Sequence, residues 1–293
     1  MNRVTSIRGR LLVGPVLLVL LVGALSACDP PPDTYVALGD SYTSGPAILP
    51  QTGQPYGCLR SGKNYPSLVA PQITSRLPLF TDVSCSGATT DDMFAAQSVT
   101  PGPANPPQLD ALSNRDGLVS LGIGGNDIGF TSIVEHCVTT PIQPPCMNTY
   151  VHDGRDELSE RIAAAAPKVA HVLTAIHQKA PRAKVLVVGY PTILPETGGG
   201  CYPAIPVQST DVAYLRLKVK ELNTMLANQA SSNNATYVDT ARSSIGHDFC
   251  NLVDHWVEGL VPTTDAAPVH PNAKGMGNTA NDVGTSARTV LGL

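Results

Sequence analysis

Five short runs of apolar and β-branched residues, separated by longer segments, constrain this chain more than any other feature of it. They are Thr34 to Leu38, Phe80 to Ser84, Leu118 to Ile123, Lys184 to Val188 and Ala235 to Val238. Runs of this length without polar alternation fit strands covered on both faces, as in a parallel sheet. Parallel strands need long crossovers, and the segments between supply them. Helical periodicity is clearest at Glu157 to Lys179 and Asp211 to Gln229, and weaker near Pro66 to Ser75 and Asn272 to Leu291. The expected fold is a three-layer α/β/α sandwich around a parallel sheet of about five strands. At 293 residues and 42% apolar content, the chain can fill one generous core. Thr100 to Pro107 and Thr139 to Pro145 read as inserted loops rather than linkers, and there is no internal repeat.

The N-terminus reads differently. Arg3, Arg8 and Arg10 precede a short apolar run, Leu11 to Ala24, and a small-residue exit, Leu25-Ser26-Ala27-Cys28. This is the pattern of a signal peptide over residues 1–27. The run falls short of the roughly 20 apolar residues of a spanning helix, which disfavours a retained anchor. Leu-Ser-Ala-Cys resembles the bacterial lipobox, so Cys28 is the expected site of lipidation; simple cleavage after Ala27 is the alternative. Residues 28–33, with Pro30 to Pro32, read as a tether, and 34–293 as a single domain. Export to the cell envelope or beyond follows, with a membrane link through the lipid if Cys28 carries one.

Cysteine usage agrees with export. Of seven cysteines, six remain beyond Cys28, an even number suited to an oxidising compartment. Counting leaves the connectivity open. Sequence-adjacent pairs, Cys58 with Cys85, Cys137 with Cys146 and Cys201 with Cys250, are favoured because each closes a loop between neighbouring elements. There is no Cys-x-x-Cys and no His-Glu-x-x-His, so no metal or other cofactor is expected. A formal charge of −4 with only 14% charged residues gives no basic surface for nucleic acid. A small-molecule or lipid substrate and a monomeric state are the expectations.

Polar blocks follow the strand runs. Gly39-Asp40-Ser41 opens after the first, Cys85-Ser86-Gly87 after the second, and Gly124-Gly125-Asn126-Asp127 after the third; Val269-His270-Pro271 precedes the last helix. In a parallel sheet these positions meet at the carboxyl edge, where such folds place their sites. Acyl transfer needs a nucleophile, a base and oxyanion donors, and these blocks contain all three. Gly-Asp-Ser alone also makes an ordinary helix N-cap, so the assignment rests on the set.

The order GDS, Gly, GGND and a late His resembles the SGNH (GDSL) hydrolase superfamily, and GDSYTSG, Cys58-Leu59-Arg60-Ser61 with Tyr65-Pro66, and GGNDIGF are similar to its actinobacterial secreted lipase and esterase branch. The resemblance covers nearly all of the chain beyond the leader. It implies a flavodoxin-like sandwich and an exported serine hydrolase acting on carboxylic esters. It also implies three sequence-adjacent disulfides. Ser41 would be the nucleophile and His270 the general base. The backbone amides of Ser41 and Gly87 and the Asn126 side chain would form the oxyanion hole.

One position departs from the family pattern. Where most members carry an Asp three residues before the His, this chain has Ala267, and the nearest acid is Asp265. The resemblance to members that use a main-chain carbonyl points to that of Ala267 as the group orienting His270, with Asp265 as the alternative.

The other histidines have plainer readings. His171 and His177 are placed for packing or surface roles, and His136 and His152 for solvent. His247 and His255 are weaker rivals to His270 near a disulfide. Asp40 and Asp127 are expected to brace turns. Loops Ala47 to Tyr56, Ile128 to Val134 and Tyr190 to Pro206 are the expected pocket walls. A cell-wall carbohydrate deacetylase and a non-catalytic lipid- or glycan-binding envelope lipoprotein remain the alternatives to an esterase or lipase.

Overall fold

The apolar runs become five parallel strands, β1 (Thr34–Gly39), β2 (Leu79–Asp82), β3 (Asp116–Gly122), β4 (Lys184–Val188) and β5 (Thr236–Val238), ordered β2-β1-β3-β4-β5. The computed structural model describes residues 1–2, 30–138 and 143–293. Cys28, the proposed leader beyond residue 2 and residue 29 of the tether therefore lie outside the described residues. Pro31–Leu293 forms one compact unit, and the preceding unit, Met1–Pro30, falls almost wholly outside the described residues.

The strand order doubles back once, between β1 and β3, which creates a switch point at the carboxyl edge. Buried β3 is covered along its whole length, as its apolar run implies. β2 is different, because it forms the sheet edge. It begins one residue earlier than expected, and Leu79 and Phe80 remain exposed. Phe80 recovers some contact by stacking on Tyr35 at 5.2 Å between ring centroids.

Side chains alternate between two cores, following the two-residue period of a strand. Tyr35, Ala37, Leu186 and Val188 point to a layer completed by α2 (Tyr65–Val69) and α6 (Ala273–Leu291), through Val69, Met276, Ala280 and Val283. Val36, Leu38, Val185 and Val187 point the other way, against α4 (Glu157–Lys179) and α5 (Ser209–Ser232). The α4 limits match the periodicity in the sequence, and Asp156 caps the helix by accepting from the Leu158 and Ser159 amides. The weaker pattern after Pro66 divides. α2 stops at Val69 and a 3₁₀ turn, Ala70–Gln72, replaces its continuation, since Pro71 lacks the amide an α-turn would need.

Three disulfides join sequence-adjacent cysteines: Cys58–Cys85, Cys137–Cys146 and Cys201–Cys250. The first braces the turn after β2, where the Ser86 amide also donates to the Cys58 carbonyl at 3.0 Å. Two further short helices lie near the site: α1 (Ser41–Ser44) directly after β1, and α3 (Phe130–His136) after β3.

Candidate active site

Ser41 is the first residue of α1, with only Asp40 between it and the end of β1. A turn this abrupt needs Gly39: a Cβ there would lie 2.2 Å from Thr43 Oγ1 and 2.6 Å from the Gly122 carbonyl. The Gln108 side chain grips the same glycine, accepting from its amide at 2.8 Å and donating to its carbonyl at 2.9 Å. Asp40 caps α1 through the Tyr42 amide at 2.8 Å. Its second oxygen accepts from the Tyr190 hydroxyl at 2.5 Å, and that hydroxyl accepts from the Gly125 amide at 2.7 Å. The ends of β1, β3 and β4 are thereby tied through one buried chain. Burial raises the Asp40 carboxyl to about 7, against the opposing pull of the Tyr190 and Tyr42 hydrogen bonds.

His270 arrives from the other end of the chain. Its Nε2 lies 2.8 Å from Ser41 Oγ, and its Nδ1 lies 2.7 Å from the main-chain oxygen of Pro268. A carbonyl can only accept, so Nδ1 carries the proton and Nε2 presents its lone pair to the serine hydroxyl. Both residues are nearly enclosed, Ser41 at 6% and His270 at 9% exposure, and Ser41 lines the cleft. Burial holds the His270 imidazole below its usual value, the Pro268 hydrogen bond opposing.

The orienting group differs from the expectation. The Ala267 carbonyl does not face the ring; it accepts from the His270 amide at 3.2 Å and closes a tight turn. That turn leaves the Pro268 carbonyl directed at Nδ1. Asp265 is exposed to solvent, and the partner of Nδ1 is the Pro268 oxygen. Val269, inside the turn, holds φ +60°, costly for a β-branched residue. The Tyr42 hydroxyl donates to its carbonyl at 2.6 Å, and the Tyr42 ring lies 5.0 Å from that of His270. The residue beside the serine thus fastens the histidine's turn.

Gly87 sits at φ +80°, in the left-handed region that glycine adopts without strain. Asn126 lines the same cleft as Ser41 and donates one Nδ2 proton to the Ala88 carbonyl at 2.9 Å, leaving its second for another acceptor. Asp127 accepts from the Thr90 amide at 3.0 Å and from the Thr90 hydroxyl. The turns carrying Gly87 and Asn126 are therefore fastened to each other.

Behind His270 lies Glu258, fully buried. Burial alone would raise its carboxyl, but donors from Thr264, Asn272 and the Thr263 amide outweigh it and bring the group to about 2. Nothing in the sequence singles this glutamate out.

The cleft beside Ser41 is walled by Phe130, Ile193, Val219 and Leu222, with Tyr190 and Asn126 at its polar end. Two of the three expected loops contribute. Ala47 to Tyr56 does not, and α5 supplies Val219 and Leu222 in its place. Four other histidines have partners elsewhere. His247 stacks on Trp256, His171 stacks on Phe94, His177 bonds the Asn233 carbonyl, and His255 meets Glu258 at 3.2 Å.

Comparison with known proteins follows the same lines. The GDSL-like Lipase/Acylhydrolase family model matches residues 37–277. Lipase 2 of Streptomyces coelicolor is 39% identical over 249 residues, covering 82% of this chain and 81% of that protein. The crystal structure of the extracellular lipase of Streptomyces rimosus superimposes with a TM-score of 0.68 at 28% identity, over 87% of this chain and 99% of that one. Phospholipase A1 of Streptomyces albidoflavus gives 0.68 at 27% identity, over 87% and 98%. With the switch-point sheet and the strand-end blocks in place across that whole span, this chain belongs to the GDSL-like lipase/acylhydrolase family.

Proposed function

We propose that this carboxylic-ester hydrolase is an exported esterase or lipase working through an acyl-enzyme on Ser41, with His270 as its general base. The observation that carries the reading is the 2.8 Å contact of Ser41 Oγ with a His270 Nε2 whose tautomer is fixed from behind. As Ser41 attacks the ester carbonyl, His270 takes the hydroxyl proton and then delivers it to the leaving alcohol. In the second half-reaction His270 deprotonates water, which attacks the acyl-enzyme and restores the serine. The Ser41 and Gly87 amides and the free Asn126 proton stabilise the oxyanion.

The apolar lining from Phe130, Ile193, Val219 and Leu222 supports an acyl chain as the occupant of the cleft over an acetyl group on a sugar. The hydrogen-bonded serine and histidine weigh against a purely binding protein. Export rests on the leader pattern and the three disulfides. Retention at the membrane rests on lipidation of Cys28.

An organophosphate should inactivate the purified enzyme and label Ser41, and Ser41→Ala should abolish turnover of p-nitrophenyl esters. Retained turnover in that variant would sink the assignment. An acyl-length series on the same preparation distinguishes lipase, esterase and sugar deacetylase behaviour. Mass analysis of the mature N-terminus tests Cys28.

A further inference from the structure

The turn that orients His270 has no carboxylate on the imidazole, so something else must hold the Pro268 carbonyl in place. The segment bearing it is a closed loop. At its neck the Glu258 amide donates to the His270 carbonyl at 2.9 Å and the Val269 amide to the Gly259 carbonyl at 3.2 Å. Between these bonds the chain runs out through Thr263 and Thr264 and returns through Ala267 and Pro268. From outside the loop, the Ala267 amide donates to the Pro46 carbonyl at 3.1 Å and the Tyr42 hydroxyl to the Val269 carbonyl at 2.6 Å.

The Glu258 side chain fills the inside of this loop. Its Oε2 accepts from the Thr263 amide at 2.7 Å and weakly from the Thr263 hydroxyl at 3.4 Å. Its Oε1 accepts from the Thr264 hydroxyl at 2.6 Å and from Asn272 Nδ2 at 2.9 Å, with His255 Nε2 at 3.2 Å. Asn272 is also the N-cap of α6, accepting from the Lys274 and Gly275 amides. One buried carboxylate thus joins the outgoing arm of the loop, at Thr263 and Thr264, to the cap of the helix that follows His270. We infer that Glu258 is a positioning residue for the reaction, fixing the Pro268 carbonyl and, through it, the ring of His270.

The inference rests on the reading of His270 as general base. Glu258→Gln keeps the shape and removes the charge. Its amide nitrogen must then face either the Thr263 amide or Asn272 Nδ2, so a donor meets a donor in either orientation. A base displaced by about 1 Å costs on the order of 100-fold in rate. The expected result is a folded variant whose kcat falls by about 10- to 100-fold on p-nitrophenyl esters while KM is unchanged, and whose Ser41 is phosphorylated more slowly by an organophosphate in the same proportion. A loss of packing alone would not separate kcat from KM. Thr264→Val, at an exposed position, removes one donor and should lower kcat severalfold without unfolding the chain. Wild-type kcat and labelling rate in folded Glu258→Gln overturn the inference; should that variant not fold, wild-type values in Thr264→Val do so. Ser41→Ala and His270→Ala run alongside, and their retained activity would instead overturn the reading on which the inference stands.

Discussion

The main-chain oxygen of Pro268 lies 2.7 Å from Nδ1 of His270, on the side of the ring where a triad would place a carboxylate. A neutral carbonyl fixes the tautomer as well as a carboxylate does, but stabilises the imidazolium of the transition state less. Asp265 is too exposed to make up the difference. Asp265→Ala should therefore keep most of the wild-type kcat on p-nitrophenyl esters. A loss of several orders of magnitude in a folded variant would show that this acid swings in during turnover.

The burial that holds the His270 imidazole down sets the pH dependence of activity. Only the neutral ring can accept the serine proton, and burial keeps it neutral below the ordinary value of 6.5. The acid limb of kcat/KM should accordingly have its inflection below pH 6.5. Stability moves in the same direction: below 6.5 the unfolded chain takes up a proton that the folded chain resists, so this group disfavours folding increasingly as pH falls, until the folded ring also protonates. A pH–rate profile on the purified enzyme reads the inflection directly.

Asn126 holds one proton on the Ala88 carbonyl and keeps one to give. Asn126→Ala should cost on the order of 3 kcal/mol of transition-state stabilisation, a fall in kcat of about 100-fold or more, with organophosphate labelling of Ser41 still detectable. A kcat within threefold of wild type would remove Asn126 from the oxyanion hole.

Tyr190 links Asp40 to the Gly125 amide, and Tyr190→Phe leaves both groups buried without that partner. The cost should be about 1–3 kcal/mol, visible as a lowered midpoint in urea. Because the Tyr190 bond opposes the burial that lifts the Asp40 carboxyl, its removal should raise that group further, so the loss of stability should grow toward alkaline pH. An unchanged midpoint at pH 8 would mean that water replaces the hydroxyl.

Much of this was legible in the chain because it depends on local pattern. Lys184 to Val188 is a strand over its whole span, and Glu157 to Lys179 is a helix over its whole span. Apolar runs and caps determine both within a short window. That Ser41 and His270 would meet was expected from a compact strand-end signature that also matched a known superfamily, and they lie 2.8 Å apart. What escaped depends on how the chain crosses itself. Gln108 and Asn223 serve as stand-in backbone partners for Gly39 and Tyr190, a role no neighbouring residue announces. Pro268 displaced Ala267 because the His270 amide had already claimed the Ala267 carbonyl, a matter of turn geometry. Glu258 escaped for the same reason: a lone glutamate between apolar residues says nothing until the loop closes over it.

The Ser41–His270 contact spans 229 residues of sequence. The serine leaves the ribosome long before His270, so a growing or partly threaded chain carries that hydroxyl without the imidazole that meets it in the fold. A cut between Ser41 and His270 parts the proposed nucleophile from its proposed base along the chain. Turnover of a simple ester is on that account a test of whether both ends of the molecule have met.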